Sequence, residues 1–342
     1  MIWTTPSMGR ESSITAMRPS WRTQRGELLS SGRARSNRGE LRFEVVRVHV
    51  DPATNLRLTL SPYRFGSADP TTQLAEGQFW RATHTPIGPA TLHLSWADQT
   101  IAIHAWGPGS DWILASANEL VGNCDTGLQL PEAAHPAIAR AHRNHPGLRI
   151  GASRTLYHEL LPTILGQRVT AGEAINQWRA LCTELGDPAP GPNETLRLPP
   201  PPERILGKPA WWYHPFGIEA KRAEALRTVA NYATRIEQWS TLAPLEAAQK
   251  LQLLRGIGPW TIGSALAHAL GDPDSVPVGD FHIPNMVCWA LAERPRGTDV
   301  EMLQLLEPYG GQRGRVIRLL GLDGHAAPKF GPRQRIQPMH RR

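Results

Sequence analysis

Cysteine is scarce in this chain. Only three cysteines occur among 342 residues, Cys124, Cys182 and Cys288, and they lie far apart with no C-x-x-C pair. Structural zinc sites and iron–sulfur clusters need closely spaced thiolate ligands. The sequence therefore predicts neither a zinc knuckle nor a four-cysteine iron–sulfur cluster, and its odd, scattered thiols are typical of a reduced compartment.

Long apolar runs and a cleavable leader are also missing. A membrane-spanning helix needs about 18 or more consecutive apolar residues, and no such run occurs. The first residues do not follow the charged, apolar, small-residue order of a secretory signal. We therefore expect no membrane partner and a cytoplasmic protein.

The two ends of the chain are short of acidic residues. Residues 1–40 contain seven Arg and three Glu, and residues 324–342 contain five Lys or Arg and no acidic residue. The net charge of +7 arises at these ends, because residues 41–323 hold 25 basic and 27 acidic residues. A basic charge is typical of proteins that bind nucleic acids, but the central part must be judged by its motifs.

The length predicts two folded domains between these basic ends. Residues 1–40 are rich in Ser, Arg and Gly without periodicity, so we expect a disordered basic arm there and a basic tail at 324–342. Residues 41–150 and 151–323 differ in their hydrophobic period, which indicates two separate domains.

Residues 41–150 have the pattern of an α+β domain. Apolar and polar residues alternate in five short segments, which predicts strands at 41–45, 56–60, 79–83, 91–96 and 100–104. Two helical segments follow, at about 110–122 and 132–144. Strands in succession followed by helices predict an antiparallel sheet with helices on one face.

Residues 151–323 have a helical period throughout, which predicts an all-α domain. A Pro-rich connection at 186–217 interrupts the helices. The predicted helices are 155–165, 171–185, 218–238, 243–254, 259–270, 281–292, 299–306 and 311–320. The helical pattern of 218–238 places four basic residues on its polar faces: Lys221, Arg222, Arg227 and Arg235.

A Gly-x-Gly turn, Gly256-Ile257-Gly258, lies between two of these helices and is followed by Pro259. Glycine permits the tight turn, and proline is suited to the first turn of a helix. The trailing helix would point its N–H groups at an anion, so we predict phosphate contacts at Gly256, Gly258 and Thr261. An ordinary turn between helices is the alternative.

The end of the leading helix also leaves backbone carbonyls without intrahelical partners. The carbonyls of Gln252, Leu254 and Ile257 are the candidates for a bound Na⁺ or K⁺. No other metal or cofactor is expected.

A single carboxylate, Asp280, follows Gly258 by 22 residues in the segment Val276-Pro277-Val278-Gly279-Asp280. It is a candidate for chemistry beside the bound phosphate. The alternative is a capping role for the helix at 281–292, and one aspartate can serve both purposes.

Three segments, in order and at matching spacing, resemble the helix-hairpin-helix–Gly/Pro…Asp (HhH-GPD) superfamily of base-excision DNA glycosylases. They are the turn with Asp280, the stretch 164–170 (ILGQRVT), and the stretch 216–226 (FGIEAKRAEAL). Within that superfamily, residues 79–322 resemble the bacterial 3-methyladenine DNA glycosylase II type. The resemblance implies that Asp280 is the catalytic aspartate, which stabilises the oxocarbenium-like sugar as the N-glycosidic bond breaks.

Trp260 occupies the position at which bifunctional members of the superfamily carry a Schiff-base lysine. Without that amine, no lyase step is expected. The indole face would attract a cationic alkylated purine in the base pocket, and packing in the core is the alternative. The resemblance also places Gln167 and Arg168 at the wedge that fills the space left by a flipped base, although the family type has Leu where Arg168 stands. A solvent-exposed arginine at a helix end is the alternative there.

The resemblance, together with Trp260 and Asp280, implies a monofunctional DNA glycosylase that hydrolyses the N-glycosidic bond of alkylated bases, 3-methyladenine and related ones, and leaves an abasic site. The expected partner is damaged double-stranded DNA, the expected state is a monomer, and the expected location is the nucleoid. Two alternatives stay open: a glycosylase for another damaged or mispaired base, and a non-catalytic DNA-binding protein. The second aromatic wall of the base pocket is not identifiable from the sequence.

Overall fold

The computed structural model of the chain describes residues 27–36, 39–97 and 100–328, with side chains from residue 48 onward. The predictions for 1–26 and for 329–342 lie outside the described residues. Within these ranges, no helix is both long and apolar enough to cross a membrane.

The N-terminal part contains an antiparallel sheet of six strands, followed by a helix. The strands are β1 (Glu27–Ser36), β2 (Gly39–His49), β3 (Thr72–Ala75), β4 (Gln78–Thr85), β5 (Gly88–Ala97) and β6 (Thr100–Trp106), and the helix is α2 (Ser110–Leu120). Their order across the sheet is β1-β2-β6-β5-β4-β3. Alternation along β5 and β6 turns Leu92, Leu94, Ile101 and Ile103 toward one face, where they are buried beneath α2. This confirms the predicted sheet with helical cover on one face.

Two predictions for this part are wrong. Residues Leu56–Leu60 form a helix, α1, rather than a strand. Asn55 caps it by accepting the Leu58 N–H at 3.0 Å, and the five residues fit a helix as well as a strand because Leu56, Thr59 and Leu60 share one buried face. The prediction of a disordered arm is also wrong for its last part, because residues 27–36 form strand β1, which pairs with β2 at the edge of the sheet.

The helical part confirms the predicted all-α domain, and the helices at 155–165 and 171–185 lie where they were expected. The predicted long helix at 218–238 is two helices that meet at Tyr232, whose φ of −105° and ψ of 9° interrupt the helical backbone. The helices are α3 (Pro136–Asn144), α4 (Leu156–Leu165), α5 (Ala171–Leu185), α6 (Pro202–Leu206), α7 (Ala220–Asn231), α8 (Ala233–Trp239), α9 (Pro244–Gln252), α10 (Pro259–Ala269), α11 (Ile283–Ala292), α12 (Asp299–Leu306) and α13 (Arg313–Leu322).

Helix α3 precedes the predicted domain boundary at residue 150 in the sequence, but it packs against helices that follow that boundary. Its Ile138 is buried in one cluster with Val316 and Leu320 of α13. The backbone N–H of His135, at its start, donates to the Tyr309 hydroxyl at 2.9 Å. By packing, α3 therefore belongs with the C-terminal helices, which the sequence period alone could not reveal.

A buried ion pair joins the sheet to the central helix α4. Arg81 of β4 donates to Glu159 of α4 at 2.6 Å, with only 2% and 7% of their side chains exposed. The Ser153 hydroxyl donates to the same carboxylate oxygen at 2.8 Å. The pair fixes α4, whose C-terminal end at Leu165 leads directly into the predicted wedge.

Candidate active site and nucleic-acid interface

The predicted hairpin lies between α9, which ends at Gln252, and α10, which begins at Pro259. Gly256 has a φ of +86°, a conformation that favours glycine. A Cβ on Gly256 would also lie 2.8 Å from the Cβ of Ala225. Ala225 belongs to α7, the helix that carries the KRAEAL segment, so this close packing holds the hairpin against a second predicted motif.

The start of α10 presents free N–H groups. Gly258 is the N-cap residue, and no side chain caps the helix. The backbone N–H groups of Gly258, Trp260 and Thr261 donate to no described residue. Since such groups at a helix N-terminus bind anions, the geometry agrees with the predicted phosphate contacts. The Thr261 side chain is buried, so Thr261 can reach a phosphate only through its backbone.

Three N–H donors hold the Asp280 carboxylate. Its Oδ1 accepts the backbone N–H groups of His282 at 2.7 Å and Ile283 at 2.9 Å, and its Oδ2 accepts the Trp260 indole N–H at 2.9 Å. Asp280 therefore holds the start of α11 and, at the same time, faces the hairpin helix. Both roles proposed for it from the sequence are compatible with this geometry.

The loop that carries Asp280 depends on residues that sequence reasoning missed. A Cβ on Gly263 of α10 would lie 2.2 Å from the carbonyl oxygen of Val276, so only glycine admits this approach. The Gly279 N–H donates to Asp299 Oδ1 at 3.0 Å. A glycine inside an apolar helical segment was the available signal for Gly263, whereas nothing in the sequence links Asp299 to Gly279.

Trp260 connects the carboxylate to the wedge segment. Besides its hydrogen bond to Asp280, the far edge of its indole lies 3.2 Å from the position that a Cβ on Gly166 would take. Among the described residues, its rings make no aromatic contact. The side chain is half-buried, and its polar edge serves the site rather than the core.

The two predicted wedge residues point in different directions. The Gln167 amide donates to the Gly256 carbonyl at 3.0 Å and to Thr261 Oγ1 at 2.9 Å. Arg168 is exposed, and it makes no hydrogen bond or ion pair to a described residue. Its φ of +57° is unusual for a residue with a side chain and costs on the order of 1 kcal/mol. Arg168 therefore fits the predicted wedge, whereas both amide donors of Gln167 are engaged within the protein.

Arg222 of α7 does not lie where the sequence pattern predicted it. The helical pattern put it on a polar surface of the helix, but only 2% of it is exposed. Its guanidinium donates to the Leu165 carbonyl at 2.8 Å and to Gln177 Oε1 at 2.7 Å. Burial lowers the pKa of Arg222 from its ordinary value. Arg222 thereby fixes the end of α4 just before the wedge segment.

The carbonyls predicted to hold a monovalent cation lie at the hairpin. The Leu254 carbonyl accepts the Ile257 N–H at 3.1 Å, and the carbonyls of Gln252 and Ile257 accept no backbone hydrogen bond from described residues. All three retain oxygen lone pairs for Na⁺ or K⁺. The described residues contain no cluster of three or more His, Cys, Asp or Glu that could hold another metal ion.

An exposed aromatic residue follows the carboxylate directly. Phe281 is 77% exposed, and its ring meets that of His282 edge-on at a centroid distance of 4.9 Å. Sequence reasoning gave it no role. It is an exposed apolar surface that directly follows Asp280 in the chain.

Two sequence relatives match about half of the chain, and no family model matches it. The DNA-3-methyladenine glycosylase of Bacillus subtilis is 23% identical over 180 residues, 52% of this chain and 59% of the relative. The putative DNA-3-methyladenine glycosylase YfjP of the same organism is 22% identical over 180 residues, 51% of this chain and 61% of the relative. The chain thus spans about three fifths of the length of these relatives.

Solved structures match over most of the chain. The 3-methyladenine DNA-glycosylase from Archaeoglobus fulgidus superposes with a TM-score of 0.65 at 19% identity, over 81% of this chain and 98% of that one. The chain has the fold of the helix-hairpin-helix DNA glycosylases. The 8-oxoguanine glycosylase/lyase of Clostridium acetobutylicum, solved with double-stranded DNA, superposes with a TM-score of 0.61 at 12% identity, over 86% of this chain and 96% of that one. These matches confirm the resemblance to the superfamily and the order of an α+β part followed by a helical part.

Proposed function

We propose that this protein is a monofunctional DNA glycosylase that removes alkylated bases from duplex DNA. The observation that carries the proposal is the Asp280 carboxylate, fixed by three N–H donors beside the free N–H groups of the hairpin. A phosphate on the hairpin would bring the adjoining sugar close to that carboxylate. Such an arrangement suits a reaction in which positive charge develops on a sugar.

In the proposed reaction, the bond between C1′ of the deoxyribose and the base nitrogen breaks, and its electron pair leaves with the base. For a cationic base such as 3-methyladenine, that pair neutralises the charge of the base. Water then adds its oxygen to C1′ and loses a proton. Because Asp280 accepts only uncharged N–H groups from the described residues, its charge is available to stabilise the sugar cation and to orient the water.

The proposal that no lyase step follows rests on Trp260. A covalent imine needs an amine at the site, and position 260 offers an indole instead. The nearest lysine in sequence, Lys250, lies on α9 and forms a pair with Glu246 at 3.6 Å. The product would therefore be an intact abasic site.

The proposed substrate class is supported by the same tryptophan and by the relatives' names. A positively charged alkylated purine is attracted to an electron-rich indole face by roughly 0.5–2 kcal/mol. Both sequence relatives are described as 3-methyladenine glycosylases. The fold neighbour described as an 8-oxoguanine glycosylase/lyase makes oxidised purine the second substrate to test.

The proposed DNA contacts are sequence-independent. The hairpin N–H groups would hold a phosphate, a Na⁺ or K⁺ on the carbonyls of Gln252, Leu254 and Ile257 would add positive charge there, and exposed Arg168 would fill the vacated base position. One chain contains all of these groups, so we propose that the monomer is the active form.

A test uses methylated duplex DNA and synthetic duplexes carrying one 8-oxoguanine or one abasic site. We expect the wild type to release 3-methyladenine, and strand cleavage at the resulting site to need hot alkali. Sodium borohydride should trap no enzyme–DNA adduct. Strand cleavage without alkali, together with a trapped adduct, would reject the monofunctional assignment, and binding without release of any base would favour the non-catalytic alternative.

A further inference from the structure

The side chain of Gln167 joins two segments that are far apart in sequence. Its amide nitrogen lies 3.0 Å from the carbonyl oxygen of Gly256 and 2.9 Å from Thr261 Oγ1. The first contact fixes the orientation of the amide, because a backbone carbonyl can only accept a hydrogen bond and the amide must turn its NH₂ group toward it. Both N–H donors of Gln167 are thereby used within the protein.

The same segment contacts the hairpin helix at a second point. Gly166 packs against the outer edge of the Trp260 indole, and the opposite, polar edge of that indole donates to Asp280. Residues 166–168 are therefore connected to the carboxylate through one tryptophan. Arg168, next in sequence, is held with a φ of +57° and points outward.

From these contacts we propose that Gln167 is a positioning residue that couples the wedge to the carboxylate. The inference rests on the proposed glycosylase function. Gln167 does not read a DNA base; it holds the Arg168 turn and the hairpin in one fixed relation, so that insertion of Arg168 into the duplex places the flipped nucleotide against Trp260 and Asp280. Misplacing a reacting group by about 1 Å can cost roughly 10²-fold in rate.

The test compares Gln167→Met, which keeps the length of the side chain but removes its donors, with Thr261→Val and with the double variant. Gln238→Met is the matched control, because Gln238 is exposed on α8 and its side chain makes no hydrogen bond to a described residue. The measurements are the single-turnover rate of 3-methyladenine release from methylated duplex DNA and the Kd for a duplex carrying one abasic site.

We expect Gln167→Met to lower the single-turnover rate about 10- to 100-fold and to leave the abasic-site Kd within about threefold. The double variant should be no slower than Gln167→Met, because both changes remove the same contact. Multiplicative effects of the two single changes would overturn the proposal. The proposal would also be overturned by a raised Kd whose increase depends on the base opposite the abasic site, since that result would mean that Gln167 contacts a DNA base.

A readout that needs no activity separates this inference from the proposed function. The indole N–H resonance of Trp260, assigned by its loss in Trp260→Phe, should shift in Gln167→Met and stay unchanged in Gln238→Met. An unmoved resonance rejects the coupling, whatever the activity. A wild type that releases no base from any duplex rejects the glycosylase assignment, while the resonance still tests the coupling.

Discussion

Two carboxylates in this molecule are each held by several donors, yet their surroundings differ. Glu159 lies beneath the sheet, almost fully buried, and is paired with Arg81 at 2.6 Å. Asp280 lies at the hairpin, half-buried, and accepts only uncharged N–H groups. The negative charge of Glu159 is neutralised by a neighbouring cation, whereas that of Asp280 is oriented but not neutralised. The first arrangement suits a structural joint, and the second suits a site where a cation must develop.

The largest effect is expected from breaking the buried pair. Arg81→Met leaves Glu159 buried without a cation, which typically costs about 3–5 kcal/mol of unfolding free energy. Burial already raises the pKa of Glu159, with Arg81 opposing that rise. Urea denaturation measures the loss, and Arg57→Met, an exposed arginine on α1, is the control that should change stability by about 0.5 kcal/mol or less.

The rate of base release per folded Arg81→Met molecule should stay near that of the wild type at a temperature where the variant is folded. A variant as stable as the wild type would show that the ion pair does not stabilise the fold, and a variant that is fully folded yet inactive would show that Glu159 is not purely structural.

The next largest effect is expected at Asp280. Asp280→Asn removes the charge but keeps the shape, and loss of one well-placed electrostatic group costs on the order of 10²–10³ in rate. Excision from methylated duplex DNA should fall by at least that factor, because the amide NH₂ of Asn cannot accept the Trp260 indole N–H and that hydrogen bond is also lost. The abasic-site Kd should stay close to that of the wild type. A variant with near-wild-type excision would remove Asp280 from the mechanism.

A smaller effect should separate the two roles of Trp260. Trp260→Phe keeps an aromatic face but loses the N–H that donates to Asp280 Oδ2 at 2.9 Å. A hydrogen bond to a charged group contributes roughly 1.5–3 kcal/mol, so we expect a loss of about 10- to 100-fold in single-turnover rate. Trp260→Ala loses both roles and should be slower still. Equal rates for the wild type and Trp260→Phe would leave Trp260 as a binding surface only.

Much of the site could be predicted because its residues occur in short, dense motifs. The turn at Gly256, the helix that begins at Pro259 and the loop ending at Asp280 lie close to their expected places, since glycine and proline restrict the backbone locally. The direction of the Gln167 side chain could not be predicted, because its two partners, Gly256 and Thr261, are far from it in the sequence and meet it only in the fold. The burial of Arg222 was hidden for a different reason: arginine is rarely buried, so its place in a helical pattern indicated a surface.

The fold shows the same limit. The strands with clear alternation at 79–83, 91–96 and 100–104 lie where they were predicted. The segment Leu56–Leu60 matches both the helical and the strand period over five residues, and the Asn55 cap favours the helix. Strand β1 was not predicted because its composition resembles that of a disordered arm. It forms a strand by pairing with β2, which follows it directly in the chain.

The smallest effect concerns a third carboxyl group, Glu237, which has neither the cation of Glu159 nor the open surroundings of Asp280. Its Oε1 accepts the Tyr157 N–H at 3.0 Å, and burial raises its pKa to about 8. Because the folded state holds this proton more tightly than the unfolded state, stability should fall as pH rises from about 4.5 to 8 and then level off. Glu237→Gln mimics the protonated form and should remove this part of the pH dependence, which we expect to be about 1.4 kcal/mol between pH 7 and pH 9. Urea denaturation of both proteins at pH 7 and pH 9 measures it. Equal losses in the two proteins would mean that Glu237 is ionised in the fold and that burial alone does not distinguish the three carboxyl groups.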